Sequence, residues 1–103
     1  MDGQLKKGVL ELCVLFQISK ENMYGYEIMK AIKSQFPDVH EAVIYAILRR
    51  INTSGYSATY VGDNSNGPQR KYYKITPLGL DYLTKNIDEW KSILSAVNML
   101  GIK

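Results

Sequence analysis

Two short groups of cationic and hydroxyl-bearing side chains lie between residues 45 and 71. The first group is Tyr45, Arg49 and Arg50, and the second is Arg70 and Lys71. A guanidinium group donates paired hydrogen bonds to phosphate oxygens and base edges, whereas an ammonium group acts on phosphate as a point charge. These side chains could therefore bind a nucleic acid, provided that the fold brings them to one surface.

The positive charge of the chain is concentrated in the same region. Residues 42–75 hold five cations and one acid, a net charge of +4, whereas the remaining residues hold eight cations and nine acids, a net charge of −1. A basic patch confined to one part of a domain is typical of contact with a phosphate backbone. Charge alone leaves one alternative open, which is a solvated cationic face with no partner.

The first group lies on a predicted helix at residues 41–53. Helical spacing gives this helix an apolar stripe made of Ile44, Ile47, Leu48 and Ile51. A rotation of about 100° per residue gives the opposite face Ala42, Tyr45, Ala46, Arg49 and Thr53, with Arg50 beside them. The small alanine side chains let this face of the helix come close to the bases, and the longer side chains can reach base edges and phosphates. We therefore predict that all six residues contact DNA from the major groove. Taken singly, the arginines could be solubilising charges and Tyr45 a half-buried aromatic.

The second group belongs to a predicted β-hairpin. Strands are expected at residues 56–61 and 69–76, around a turn at residues 62–68 that is rich in glycine and asparagine. Alternation places Lys71 and Tyr73 on one face of the return strand and Arg70 and Tyr72 on the other. Cations interleaved with tyrosines suit a wing that lies along the sugar-phosphate backbone, although an ordinary solvent-facing hairpin is the alternative.

Helices are also predicted at residues 5–18, 24–36 and from Pro77 to about residue 100. The first is apolar nearly all round, which indicates burial on more than one side, and we expect a second subunit to cover one of them. The last begins at an N-cap, Thr76, and is about 37 Å long, more than a domain of this size can cover. Its heptad seam predicts a homodimer interface that contains Leu83, Ile87, Trp90, Leu94 and Val97.

The predicted fold is therefore mainly α with a small β-hairpin. Residues 1–76 form a winged helix-turn-helix, and residues 77–103 form a C-terminal dimerisation helix within the same compact unit. One histidine and one cysteine are too few for a zinc site, which needs three or four ligands. A catalytic triad needs a histidine near a nucleophile and an acid, whereas His40 lies in a local turn cluster with Asp38 and Glu41, so we predict no enzyme, metal or cofactor. No stretch approaches the roughly 18 apolar residues of a membrane span, and the single thiol, Cys13, fits the core of a cytoplasmic protein.

Four motifs carry a family resemblance: GVLEL at residues 8–12, YGYEI at 24–28, EAVIY at 41–45 and, most specifically, GPQRKYYKITPLG at 67–79. On these motifs the chain resembles the PadR family of bacterial transcriptional regulators, and within it the short subgroup that ends in a single helix. The family usually has threonine where Val43 stands and a serine or asparagine cap where His40 stands.

This resemblance implies a homodimer that binds a palindromic operator in double-stranded DNA and usually represses transcription. It further implies that Tyr45 is the tyrosine of the recognition helix and that Arg70 and Lys71 are the wing cations. In some short members a tryptophan at the position of Trp90 lines an interface pore that binds planar drugs.

Two alternatives to a plain repressor remain. The chain could sense a small planar aromatic effector bound beside Trp90 and Ile87, although Trp90 could equally fill the heptad core. It could also use its winged helix for contact with another protein, which the cations of the third helix and the wing disfavour.

Overall fold

The computed structural model describes residues 3–62 and 67–103. In chain order the elements are α1 (Gly3–Lys20), β1 (Met23–Tyr24), α2 (Gly25–Gln35), α3 (Glu41–Thr53), β2 (Ser57–Gly62), β3 (Arg70–Ile75) and α4 (Pro77–Met99). Three helices of 11 to 18 residues, a small antiparallel sheet and a last helix of 23 residues confirm the predicted mainly α, winged helix-turn-helix fold. No helix in the described part of the chain is long and apolar enough to cross a membrane.

The core lies where α1, α2 and α3 meet. The predicted apolar stripe of α3 is fully buried, with Ile44, Leu48 and Ile51 all inaccessible and Ile47 2% exposed. α1 is apolar on several sides because it packs against α2, α3, α4 and β3 of its own chain. Contacts within the chain therefore explain most of the apolar surface of α1, for which the sequence pattern predicts a second subunit. Phe16 is the exception, since it remains 44% exposed.

The sheet has three strands in the order β1-β3-β2, and not only the two of the predicted hairpin. β1 pairs Met23 with Tyr73 and Tyr24 with Tyr72, so it joins the wing to the start of α2. The sequence did not indicate β1, because two residues are too few to show an alternating pattern. Residues 63–66, which belong to the predicted turn, lie outside the described part of the chain.

The junction between the wing and α4 follows the prediction closely. The Thr76 hydroxyl accepts a hydrogen bond from the amide of Gly79 at 3.0 Å and donates one to the carbonyl of Gly55 at 2.6 Å. Gly55 has a φ of +82°, which L-residues with a side chain rarely adopt. A Cβ at Gly79 would overlap the carbonyl oxygen of Tyr56, so this close approach requires glycine.

The heptad seam of α4 divides into two parts. Leu83 is 2% exposed and Ile87 packs against the core, so both contact their own chain. Leu83 is thereby removed from the predicted dimer interface, because its side chain is already covered. The later seam residues Trp90 and Leu94 are 39% and 46% exposed, and Val97 is half-buried.

Candidate nucleic-acid interface

The outer face of α3 presents the side chains that the helical spacing predicts. Because their neighbours Ile44, Ile47 and Leu48 face the core, this side of the helix is directed to solvent. The exposed residues of this face are Ala42, Tyr45, Ala46, Arg49 and Thr53. We call these five residues the α3 face.

The structure brings the wing cations to the same surface as Tyr45. A cleft of about 240 Å³ lies between the start of α2, the middle of α3 and the beginning of β3. We call it the wing cleft, and its lining is Tyr24, Gly25, Tyr26, Tyr45, Arg70, Lys71 and Tyr73. Tyr45, Arg70 and Lys71, predicted from separate parts of the sequence, therefore line one concave surface.

Gly25 allows this arrangement. A Cβ at Gly25 would lie 3.3 Å from the Cε1 atom of Tyr45, which is tighter than ordinary van der Waals contact. The Tyr45 ring therefore lies directly against the first turn of α2, while 37% of the residue stays exposed. α2 and the tyrosine of α3 are thus positioned as one unit.

Both wing cations lie over aromatic rings. The guanidinium carbon of Arg70 is 4.5 Å from the centroid of the Tyr24 ring, and the Lys71 ammonium nitrogen is 5.6 Å from that of Tyr73. Such cation–π contacts are attractive and restrict the conformations of long, flexible side chains. The cations of the wing are therefore partly ordered before any ligand binds.

A row of tyrosines crosses the outer face of the sheet. The rings of Tyr60 and Tyr72 stack at 5.5 Å, and Tyr24 meets Tyr72 edge-on at 5.6 Å. The hydroxyl of Tyr60 accepts a hydrogen bond from the side-chain amide of Asn22 at 3.1 Å. The row fixes the wing to the segment that leads into α2.

Arg50 departs from the prediction. Its Nη2 atom donates a hydrogen bond to Oε2 of Glu11 and forms an ion pair with that carboxylate. The Glu11 Oε1 atom accepts a hydrogen bond from the Tyr82 hydroxyl at 2.6 Å. Half of the Arg50 side chain stays exposed, but its orientation is set by Glu11, so it lies apart from the α3 face.

The hydrogen bond to Glu11 also changes the acidity of Tyr82. Because the carboxylate stabilises the protonated phenol, and burial and the nearby negative charge act in the same direction, the pKa of Tyr82 is raised to about 12. Burial likewise raises the pKa of the Cys13 thiol. Cys13 is half-buried against the core, close to the position expected for it.

Sequence reasoning missed Tyr24, Gly25 and Tyr26 as lining residues, because the pairing of β1 with β3 brings them to the wing. It also missed the role of Glu11, although a lone acid inside an apolar helical run is a signal that a buried partner exists. Among the described residues, no group of three or more histidine, cysteine, aspartate or glutamate side chains could hold a metal ion.

A second concave surface lies between α1 and α4, and we call it the α1/α4 groove. It has a volume of about 240 Å³ and is lined by Gly8, Val9, Leu12, Asn86, Glu89, Trp90 and Ile93. Trp90 therefore borders a groove of the single chain, and the interface pore that the resemblance implies stays a prediction. Ile87, the second residue predicted to bind an effector, does not line this groove and packs against the core instead.

Comparison with known proteins agrees with this architecture. The sequence profile of the family described as "Transcriptional regulator PadR-like family" matches residues 14–85. A PadR-like transcriptional regulator from Bacillus cereus is 37% identical and superimposes with a TM-score of 0.86, over 98% of this chain and 100% of that chain. A Streptococcus transcriptional regulator is 26% identical and gives a TM-score of 0.90, over 98% and 100% of the two chains.

A protein of Lysinibacillus sphaericus is 33% identical over 96 residues, which is 90% of this chain and 88% of that protein. The family match spans α2, α3, the described strands and the first part of α4, so it includes the α3 face and the wing. The family consists of regulators and not of enzymes, which confirms the prediction that the protein is not an enzyme. On this sequence match and this fold, the chain belongs to the PadR-like family of transcriptional regulators.

Proposed function

We propose that the protein is a homodimeric cytoplasmic repressor that binds a palindromic operator in double-stranded DNA. The observation that supports this most directly is the wing cleft, which places Tyr45 of α3 beside Arg70 and Lys71 of the wing. A helix in the major groove and a basic hairpin on the flanking backbone need this juxtaposition.

The charges around the cleft favour phosphate as the partner. Arg49, Arg70 and Lys71 are exposed, and none forms an ion pair with an acid in the described part of the chain. Arg49 and Tyr45 lie four residues apart on the α3 face, so they approach one duplex from the same side. In this proposal the α3 face reads base edges, and the wing cations set the register by contacting the backbone.

The later half of α4 supplies the proposed dimer contact. Trp90, Ile93 and Leu94 are between 39% and 51% exposed, and Leu100 is 86% exposed. A helix that exposes large apolar residues along one seam gains free energy by pairing with a second copy. A dimer would present two α3 faces to the two half-sites of a palindrome.

The test is binding to the DNA upstream of the protein's own gene, measured by band shift over a range of salt concentrations. We expect affinity to fall steeply with salt, with a logarithmic slope of about −0.9 for each phosphate contacted. The Arg70→Ala/Lys71→Ala double variant should weaken binding to all sequences similarly. Arg49→Ala or Tyr45→Phe should change the sequence preference as well.

The matched control is the Lys85→Ala/Lys91→Ala double variant. This control also removes two positive charges, but from α4 and not from the wing. In the described part of the chain, Lys85 forms only an exposed ion pair with Asp81 at 3.1 Å. Affinity close to that of the parent chain is expected, because that pair lies outside the wing cleft. Equal losses in the two double variants, or no binding at low salt, would contradict DNA recognition and favour a winged helix used for protein contact.

A second candidate function is effector sensing in the α1/α4 groove. The groove combines the half-exposed ring of Trp90 with the carboxylate of Glu89, a pairing suited to a planar aromatic cation. Since the chain has one tryptophan, quenching of its fluorescence by planar aromatic cations reports on this site alone. Absence of quenching in the parent chain would contradict effector binding at Trp90.

A further inference from the structure

One buried carboxylate joins three helices. Glu11 is 9% exposed in the middle of α1, and both of its carboxylate oxygens are engaged, one by Arg50 of α3 and one by Tyr82 of α4. Removing a carboxylate from water is costly unless its oxygens find partners. The two hydrogen bonds offset that cost, and they define the relative positions of the helices that supply them.

A second contact reinforces the connection between α3 and α4. The ring of Tyr82 stacks on that of Tyr56, with centroids 4.0 Å apart and an angle of 11° between the rings. The amide of Tyr56 in turn donates a hydrogen bond to the carbonyl of Ile51 in α3 at 2.9 Å. Tyr82 therefore contacts α1 through its hydroxyl and, through its ring, Tyr56 in the segment that follows α3. We call Glu11, Arg50, Tyr56 and Tyr82 the Glu11 cluster.

The position of the Glu11 cluster allows it to affect the separation of the two α3 faces in a dimer. α4 packs mainly against α1, and α3 also packs against α1. The proposed dimer contact begins at Trp90, so Tyr82 lies between the start of α4 and that contact along the helix. A small change in the angle between α4 and α3 would change the separation of the two α3 faces in a dimer.

A cavity of about 520 Å³ opens beside the cluster and is lined in part by Glu11, Arg50, Tyr56 and Tyr82. Because one side of the cluster has no packed neighbours, the angle between α4 and α3 is not fixed there by close packing. The hydrogen bonds to Glu11 then act on this angle together with the stack of Tyr82 on Tyr56 and the hydrogen bond from Thr76 to Gly55.

We propose that Glu11 and Tyr82 are positioning residues that set the distance between the two half-sites that the dimer accepts. This inference rests on the proposed function, because it requires a dimer that binds a palindrome. Its physical basis is that one inserted base pair rotates the half-sites by about 35° relative to each other. A rigid link between α4 and α3 should reject that change, and a loosened link should tolerate it.

The experiment first selects a preferred operator from random duplex DNA with the parent chain, and then varies its half-site spacing by single base pairs. The variant is Tyr82→Phe, which keeps the ring stacked on Tyr56 and removes the hydrogen bond to Glu11. We expect the parent chain to lose at least about tenfold in affinity for each change of spacing. The variant should lose less than about threefold per change, with binding to the preferred spacing weakened severalfold.

The matched control is Tyr56→Phe, which removes a hydroxyl from the other ring of the same stack. That hydroxyl makes no hydrogen bond to a described side chain, so the spacing profile should follow that of the parent. A merely structural role for the hydrogen bond would lower affinity equally at every spacing and leave the profile unchanged. Glu11→Gln is the second variant, and it should broaden the profile in the same way as Tyr82→Phe.

Superimposable profiles of Tyr82→Phe and the parent chain would overturn the inference and leave the proposed function intact. Failure of the parent chain to select any duplex would instead overturn the proposed function, and the inference with it. Loss of the folded dimer in both Tyr82→Phe and Glu11→Gln would assign the cluster to stability alone, which also overturns the inference.

Discussion

The guanidinium of Arg70 lies over the ring of Tyr24, 4.5 Å from its centroid. Arg70 is the first residue of β3, whereas Tyr24 belongs to β1 and directly precedes α2. The backbone amide of Tyr24 also donates a hydrogen bond to the Glu27 side chain at 3.1 Å, which ties the ring-bearing residue to the first turn of α2. A cation of the wing is therefore oriented by the helix-turn-helix.

Tyr24→Leu should weaken DNA binding about two- to fivefold at every sequence, which corresponds to the loss of one exposed cation–π contact. The slope of log affinity against log salt concentration should stay the same, because Arg70 keeps its charge and its proposed contact with a DNA phosphate. Tyr24→Phe should bind like the parent chain, since the ring is retained. Phenylalanine behaving like leucine, or a shallower salt dependence in Tyr24→Leu, would contradict this role.

Thr76→Ala should lower the free energy of unfolding by about 1 kcal/mol, within the range of roughly 0.5–2 for a lost N-cap. The threonine hydroxyl both caps α4 and donates to the carbonyl of Gly55, so the wing and the helix are affected together. Urea denaturation at a fixed protein concentration measures the change. Thr76→Ser, which keeps the hydroxyl, should recover most of the loss.

Thr84→Ala provides the contrasting case within the same helix. The Thr84 hydroxyl donates only to the carbonyl of Leu80 at 2.9 Å on the exposed side of α4. Alanine is the better helix former at an interior position, so this variant should be as stable as the parent or slightly more stable. Equal destabilisation by Thr84→Ala and Thr76→Ala would show that the cap has no special contribution.

The two parts of the α4 seam should respond differently to substitution. Leu94→Glu should shift the protein from dimer to monomer in sedimentation equilibrium without loss of helical circular dichroism, because Leu94 is 46% exposed in the single chain. Ser92→Glu adds the same charge on the other side of α4 and should leave the dimer intact.

Leu83→Ala should instead destabilise the fold by about 2–5 kcal/mol, as expected for truncation of a leucine buried in the core. Chemical denaturation distinguishes this loss from a change in association. A monomeric parent chain at micromolar concentration would contradict the proposed dimer and would leave the core role of Leu83 unaffected.

The raised pKa of Tyr82 predicts a stability change at high pH. In the unfolded chain a tyrosine loses its proton near pH 10, whereas in the folded chain the hydrogen bond to Glu11 holds the pKa of Tyr82 at about 12. Its contribution to stability is therefore fully present below about pH 10 and is lost as the pH rises to about 12.

The measurement is the difference in unfolding free energy between the parent chain and Tyr82→Phe as a function of pH. This difference should shrink between about pH 10 and pH 12, because only the parent chain carries the phenol. A constant difference over this range would show that Tyr82 titrates like an unperturbed phenol.

Local patterns in the sequence were sufficient for the four helices and for the two strands of the wing, but not for β1. The spacing of Ile44, Ile47, Leu48 and Ile51 established which side of α3 is buried, and hence that Tyr45 and Arg49 face outward. Thr76 followed by Pro77 established where α4 begins. Each of these features depends on the periodicity or backbone preference of neighbouring residues, which a single sequence displays.

The tertiary structure decided which distant side chains meet. The pairing of β1 with β3 brought Tyr24 under Arg70, and the packing of α1 against α3 and α4 brought Glu11 to Arg50 and Tyr82. It also covered Leu83 within its own chain while Leu94 stayed exposed, although both belong to one heptad seam. Sequence spacing determines the face of a helix on which a residue lies, but the partner of that face depends on long-range packing, which local patterns do not encode.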